Sequence, residues 1–449
     1  MRSSILQDNP NNSVIVVGGG WSGIAAAIEL TRHNIPVVLL ESARQLGGRA
    51  RSVQIDNLHV DNGQHMLLGA YEATLDLLRH IGVDENEVFK RQALSLKWLR
   101  HKGNPVTLNT PNLPAPFHLA LGLLRATGLS LRDRLSALRF CRQLQKNNFT
   151  IENDCDVESY LKDNRQSENV INAIWEPLCL GALNTQIHEA STQIFLRTLG
   201  DSFSRSRKDS DILLTRKNLG DILPEPAIEY IESHGGSIQL GQRVTELEIT
   251  DDNIRGIKVA GKLISSRYII LATPSTITNN LINGITSLQD ISSQLQYIHH
   301  SPICTVYIQY PEETKLNGWI RGSLDTTSQW IFDRRLYGQN GLMSVVISGK
   351  GNHMNWDNSQ LCNNVEKELA THFPNWPEPI DRYVIREKRA TFTSTVNINQ
   401  NRPDIQTPVK GLWLAGDYTN NGLPGTLEGA VRSGLQCAQQ IIRSLRADD

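Results

Sequence analysis

Long apolar runs are missing from this chain. No uninterrupted apolar stretch approaches the ~18–20 residues that cross a bilayer, so no transmembrane span is expected. A charge excess is missing too. With 45 Lys and Arg against 46 Asp and Glu, the formal net charge is −1, which argues against a nucleic-acid partner. The six cysteines, Cys141, Cys155, Cys179, Cys304, Cys362 and Cys437, are scattered and form no CxxC pair. That pattern excludes a disulfide framework and a zinc site, so no metal is expected; the thiols read as reduced, in the cytoplasm. Residues 1–12 are polar and lack an apolar h-region, so they do not read as a secretory signal. Internal repeats, low-complexity tracts and long linkers are also absent.

What is present is the composition of a globular protein: 39% hydrophobic and 20% charged residues over 449 positions. That length suggests two successive or interleaved domains. Residues 13–17 read as a short buried strand, 24–33 as an Ala-rich helix and 37–41 as a second buried strand. The pattern changes to helices and loops over 71–204, with a prolonged helical run over 117–146. From about residue 221 an α/β section resumes. It has a helix at 223–234, a strand at 237–240, a hairpin of 243–250 and 254–259 across Asp251-Asp252-Asn253, and a buried strand at 268–271. Further strands are expected at 303–309 and 342–348. The last unit is a strand at 412–415 and a closing helix over 426–445.

Three motifs carry chemistry. Gly18-x-Gly20-x-x-Gly23 lies between a strand and a helix. Gly18 permits the tight turn, Gly20 close approach to a pyrophosphate, and Gly23 tight helix–strand packing; Trp21 and Ser22 lie in the same cofactor-facing turn. Glu41, followed by Ser42, ends the second strand 18 residues beyond Gly23, where a carboxylate accepts from ribose hydroxyls. The second motif is Leu46-Gly47-Gly48-Arg49-Ala50-Arg51-Ser52. Gly48 and Arg49 suit close approach and charge pairing with phosphate, and they favour FAD over NAD. The third is Leu414-Ala415-Gly416-Asp417-Tyr418-Thr419, followed by Gly425-Thr426-Leu427-Glu428-Gly429-Ala430. Gly416 and Asp417 suit the ribityl–phosphate region, and the helix start at Gly425, Thr426 and Leu427 suits the anionic edge of a reduced flavin.

Together with Arg243-Val244 and Leu271-Ala272-Thr273-Pro274, this set resembles the amine oxidase/phytoene desaturase superfamily of flavoproteins. The resemblance implies an α/β fold with a discontinuous Rossmann-type FAD-binding domain (13–70, 205–275 and 405–449). An α+β substrate domain (71–204 and 276–404) would be interleaved with it; the basic run from Arg125 to Lys146 would make a helical part of it membrane-facing. The resemblance also implies that the Val244 backbone clasps the adenine. Val60-Asp61-Asn62-Gly63-Gln64-His65-Met66-Leu67-Leu68-Gly69-Ala70-Tyr71 is more specific. With residues 174–185 and 422–430, it resembles the bacterial hydroxysqualene dehydroxylases. That family resemblance implies reduction of hydroxysqualene to squalene, in the hopanoid or a related triterpenoid route. Hydride would come from reduced FAD, and the hydroxyl would leave as water.

Such a reaction needs an acid near the departing oxygen, an apolar tunnel and a fixed flavin. His65 is one candidate acid or orienter. Glu176, in an otherwise apolar stretch beside Trp175, is the other, because desolvation keeps a carboxyl neutral. The segment from Arg125 to Lys146 carries six basic residues and one acid. It is expected to dock on an anionic membrane, on the inner face of the cell membrane, with 114–117 as an apolar tip. No second Gly-rich strand–turn–helix offers a nicotinamide site. Ser348-Gly349-Lys350-Gly351-Asn352 reads as a loop, so the electron donor is unidentified. Three rivals remain: a carotenoid-type desaturase, an amine oxidase and a non-enzymatic prenyl-lipid carrier. Leu423, where amine oxidases place an aromatic residue before the Pro-Gly, counts against the second. The intact glycine motifs count against the third.

Overall fold

The computed structural model describes residues 13–101 and 103–448; the polar N-terminal stretch lies outside them. A five-stranded parallel sheet forms the base. Its order is Ser237–Leu240, Val37–Glu41, Val14–Val17, Ile269–Leu271 and Leu412–Leu414. The central strands are apolar on both faces, because helices cover both faces of a parallel sheet. Register decides where the site lies. Val17 pairs with both Leu40 and Leu271, and Leu271 pairs with Leu414. The loops that begin at Gly18, Glu41, Ala272 and Ala415 therefore leave the sheet at one end, the usual crevice for a ligand in such folds.

The helix Trp21–Arg32 is buried from Trp21 through Thr31. It packs against the closing helix Leu427–Asp448, which joins the two ends of the chain in one core. The contact is close: a Cβ on Gly434 would lie 2.0 Å from the backbone oxygen of Ser22. Beside this unit, Val244–Thr250, Asn253–Val259 and Lys262–Ser265 form an antiparallel sheet, with positive φ at Asp251 and Asp252 in the expected turn.

A seven-stranded sheet forms the second layer, ordered Asp381–Phe392, His300–Gln309, Leu342–Ser348, Trp330–Asp333, Ile320–Leu324, Ser95–Arg100 and Val106–Asn109. Two of these strands, and Phe89–Gln92 of a smaller sheet, lie in the region expected to hold only helices and loops. The expected helix over 117–146 is two helices, Phe117–Arg125 and Leu131–Lys146. Gly128 turns the chain with φ +75°, and a Cβ there would meet the Pro105 carbonyl oxygen at 2.6 Å. Ser130 and Asp133 then form a capping box that starts the second helix afresh. Among the described residues, no helix is long and apolar enough to cross a membrane. The six cysteines are all free.

The close helix crossing yields a prediction. Gly434→Ala forces apart two helices held by backbone contact, and overpacking of this kind costs about 2–3 kcal/mol. Urea unfolding should show the midpoint fall with an unchanged slope.

Candidate active site

The glycine turn after the first strand is shaped as a cradle. A Cβ on Gly18 would lie 2.5 Å from the Ala272 oxygen, and one on Gly23 would lie 1.9 Å from the Gly18 oxygen. A Cβ on Gly20 would meet nothing within 4 Å. The first and last glycines are therefore required by packing, and the middle one borders open space. The helix that follows has no side-chain cap at Gly20, so its first N–H groups are left for an outside acceptor. This is the arrangement that a pyrophosphate needs.

Glu41 ends the neighbouring strand. One of its carboxylate oxygens accepts from the Gly19 N–H at 2.6 Å; the other accepts from the Ala43 N–H at 2.7 Å and from the Ser42 hydroxyl at 3.1 Å. Val244 lies close by along the chain from Gln242, whose N–H donates to the Glu41 carbonyl. Trp21 packs into the interior. Its indole is buried and donates to the Ala50 carbonyl at 3.3 Å, tying the Gly47–Gly48 turn to the helix. Ser22 is likewise buried, under the Gly434 crossing. Gly48 has φ +59° and a hypothetical Cβ 3.1 Å from the Gly20 Cα, so the two glycine turns touch.

Arg49 joins the ends of the chain. It donates to the Asp417 carboxylate at 2.6 Å and to the Ala390 carbonyl at 2.9 Å. A polar cleft opens here, lined by Arg49, Asp417 and Tyr418 with His300, Glu387 and Arg389. Gly416 bends sharply, and its N–H donates to the Ser433 hydroxyl at 3.1 Å. Gly425 faces Thr391 and Asp417, leaving no room for a side chain. The Thr426 hydroxyl accepts from the Gly429 N–H at 3.1 Å, capping the helix that begins at Leu427. Glu428 is buried and accepts from the backbone N–H groups of Ala73 and Thr74, so it serves as a cap for the helix Glu72–His80.

Arg402 escaped the sequence reading. It is buried and donates to the carbonyls of Asp417, Tyr418, Thr419 and Leu423. It thereby holds the whole Gly416–Leu423 loop in place. A lone arginine in a polar loop gives no periodic signal that would announce this role.

The loop after the hairpin Ser52–Ile55 and Leu58–Asp61 is equally constrained. The Asn62 amide donates to the Glu387 carboxylate at 3.0 Å. The Gln64 carbonyl oxygen accepts from the fully buried Arg334 at 2.7 Å, and Arg334 also donates to Asn218. His65 Nδ1 lies 2.7 Å from the Gly63 carbonyl. A carbonyl only accepts, so Nδ1 carries the hydrogen and Nε2 keeps its lone pair. Burial also pushes the imidazole pKa down. His65 is thus built as an acceptor, and the expectation of a proton donor there is not what this geometry favours.

Glu176 opens the helix Glu176–Leu183 after a π-helical turn, Ile171–Trp175. Pro177 lacks an N–H, and the Glu176 N–H reaches back to Ile171 to form the wider turn. Burial raises the Glu176 pKa, with nearby Glu158 and Asp325 acting the same way and His188 opposing. Neither His65 nor Glu176 lines the polar cleft, and no hydrogen bond joins the two. An apolar pocket lies beside Trp175. Leu96, Leu108, Leu119, Leu123, Leu144 and Trp175 are among its walls, and Gln145 is its one amide side chain. The two spaces share no lining residue. The Gly349–Gly351 segment is a loop, as expected, tied down where the Gly349 N–H donates to Asn184 at 2.7 Å. Among the described residues, no group of three or more His, Cys, Asp or Glu side chains gathers to hold a metal.

A parallel sheet with a glycine cradle at its carboxyl edge and a second, substrate-facing layer defines a flavin-dependent oxidoreductase. Solved structures share this fold. An oxidoreductase from Methanosarcina mazei aligns with a TM-score of 0.77 at 14% identity, covering 95% of this chain and 100% of that one. Cyclohexylamine oxidase from Brevibacterium oxydans aligns with a TM-score of 0.72 at 16% identity, covering 97% and 100%. The chain belongs to the flavin containing amine oxidoreductase family, which matches residues 21–442, and its cofactor is FAD. Among curated relatives, hydroxysqualene dehydroxylase from Rhodopseudomonas palustris is 27% identical over 97% of this chain and all of its own length. The enzyme of the same name from Zymomonas mobilis is 25% identical over 94% and 97%. The 15-cis-phytoene desaturase of an Oncidium hybrid is 24% identical over 98% of this chain and 79% of its own.

Asp61 gives the site a pH signature. Its carboxylate accepts from the Leu219 N–H at 2.7 Å, and among the described residues its other oxygen has no hydrogen-bond partner. Burial pushes its pKa up to about 7, against the pull of Arg334 and the Leu219 N–H, with Asp221 adding to the rise. The native state therefore binds this proton more tightly than the unfolded state. Its contribution to stability is full below about pH 4 and is lost as pH rises towards 7, on the order of a few kcal/mol. The stability difference between wild type and Asp61→Asn, measured by urea unfolding, should change across that window and level off above it. A difference independent of pH would contradict this.

Proposed function

We propose that the protein reduces hydroxysqualene to squalene, with loss of the hydroxyl as water. The observation that carries this reading is the apolar pocket, whose walls of leucine and tryptophan with a single amide suit a hydrocarbon segment and not a charged group. The Trp175 indole N–H is already satisfied by Gln166 at 3.0 Å, so the ring presents only apolar surface. An amine substrate would need a charged or aromatic partner, and Leu423 stands before Pro424-Gly425. The full-length relationship to hydroxysqualene dehydroxylases supports this choice of hydrocarbon.

The reaction breaks a C–O bond, with the electron pair leaving on oxygen, and that oxygen takes a proton to depart as water. Bound reduced FAD supplies the hydride that the carbon takes up. The chain's own part is to hold, orient and protonate. Gly18, Gly20, Gly23 and Gly48 would admit the pyrophosphate, Glu41 would accept from the ribose hydroxyls, and the Val244 backbone would hold the adenine. Arg49, Asp417, Gly416, Gly425, Thr426 and Leu427 would hold the flavin end. Glu176, whose pKa burial raises, is the candidate proton donor, although it lines neither the polar cleft nor the apolar pocket. His65, with its bare Nε2, accepts a hydrogen bond from substrate or water and orients it. The apolar pocket takes the part of the chain remote from the reacting carbon, since it does not meet the polar cleft.

The test is anaerobic incubation of the pure flavoprotein, reduced chemically, with hydroxysqualene. Squalene is expected. Glu176→Gln should lower kcat by at least about a hundredfold, the low end for loss of a general acid, with little change in KM. No squalene, together with dehydrogenation of a polyene such as phytoene by the oxidised enzyme, would instead favour the desaturase reading, which the phytoene desaturase relatives keep open.

A further inference from the structure

The helices Phe117–Arg125 and Leu131–Lys146 share an inner side. Leu119 and Leu123 of the first, with Cys141 and Leu144 of the second, wall the apolar pocket. Their outer sides therefore face away from it. At about 100° per residue, Phe117, Leu121 and Leu124 fall on the outer stripe of the first helix, opposite Leu119 and Leu123. Phe117 is 65% exposed. On the second helix, Arg132, Arg139, Arg142 and Lys146 fall within an arc of about 80°, diametrically opposite Ala137 and Leu144. Leu131, 61% exposed, lies at the edge of that arc.

Along the two helices themselves the exposed charge is of one sign. Gly103 through Leu124 contain no Asp, Glu, Lys or Arg. Between Arg125 and Lys146 the sole acid is Asp133. It is buried and bonded to Ser130, Ser167 and Asn169. Among the described residues, Arg125, Arg132, Arg139, Arg142 and Lys146 make no ion pair. Exposed apolar side chains beside unpaired cations are what an interfacial helix offers to lipid headgroups and the acyl boundary beneath them. A protein partner would also be served by apolar surface. Unpaired cations with no interspersed acid complement a uniformly anionic sheet of headgroups better.

We propose that the outer side of this helix pair docks on an anionic lipid bilayer. Phe117, Leu121, Leu124 and Leu131 enter the interface, and Arg125, Arg132, Arg139, Arg142 and Lys146 lie on the headgroups. The pocket then lies directly behind the docked surface. What docking delivers rests on the proposed hydrocarbon substrate; docking itself needs no substrate.

The experiment is co-sedimentation of the full-length flavoprotein with vesicles of phosphatidylcholine containing a minority of phosphatidylglycerol, beside vesicles of phosphatidylcholine alone. Binding is expected to the mixed vesicles, weakened by added salt. It should fall at least about tenfold in R132E/R139E and in F117S/L131S, which are surface changes that leave flavin content and thermal midpoint unchanged. Equal binding to both vesicle types would overturn the proposal, as would binding indifferent to salt. So would wild-type protein that ignores vesicles and forms a concentration-dependent dimer that F117S/L131S abolishes; the face would then belong to a second copy. Docking without squalene formation would sink the proposed reaction and leave the docking surface standing. Squalene formation without vesicle binding would do the reverse.

Discussion

The ion pair between Arg49 and Asp417, at 2.6 Å, joins residues 368 positions apart. Asp417 is almost wholly buried, and the guanidinium beside it is the partner that a buried carboxylate needs. The rest of the site is arranged around this contact. Arg49 is held through its second nitrogen to Ala390, at the end of the long strand Asp381–Phe392. Asp417 is held through its backbone by Arg402, which also stacks over Phe392 at 4.6 Å. Three stretches of chain, from the N-terminal turn, the substrate-facing sheet and the C-terminal loop, are thereby fixed in one cleft before any cofactor enters. This is preorganisation in its plain sense: the donors and acceptors need not be ordered at the moment of binding.

The two layers are tied by polar contacts and filled by apolar ones. Arg334 reaches Gln64 and Asn218, and Asn62 reaches Glu387. Such bonds are directional and set the angle between layers, whereas a greasy interface tolerates sliding. Away from the junction the substrate layer turns apolar, ending in the pocket behind the helix pair 117–146. The division suits an enzyme that must hold a charged cofactor at one end and an uncharged chain at the other.

Local signals were legible in the sequence where one short segment does the whole job. The strand, glycine turn and helix at 14–32, the Asp251–Asp252 turn and the closing helix each rest on residues adjacent in sequence. The family resemblance extended that reading to the whole chain. The strands Ser95–Arg100 and Val106–Asn109 were not legible, because each is short and is stabilised as a strand by a partner far away or across a loop. The break at Gly128 was hidden inside a run with continuous helical composition. Arg402, Arg334 and Asn184 act at long range from unremarkable contexts, and nothing in a local window separates them from solvated polar residues. The side chain of Trp21, inside the cofactor motif, is tied to the Ala50 carbonyl, a contact that no local window announces.

The central claim is that both ends of the chain close on one FAD. Hydrogen–deuterium exchange on the flavin-depleted protein, with and without added FAD, tests it most directly. The account predicts that FAD slows exchange together in the 18–23, 41–49 and 416–430 segments. Protection confined to the N-terminal turn, with the Gly416–Leu423 loop exchanging as before, would contradict it.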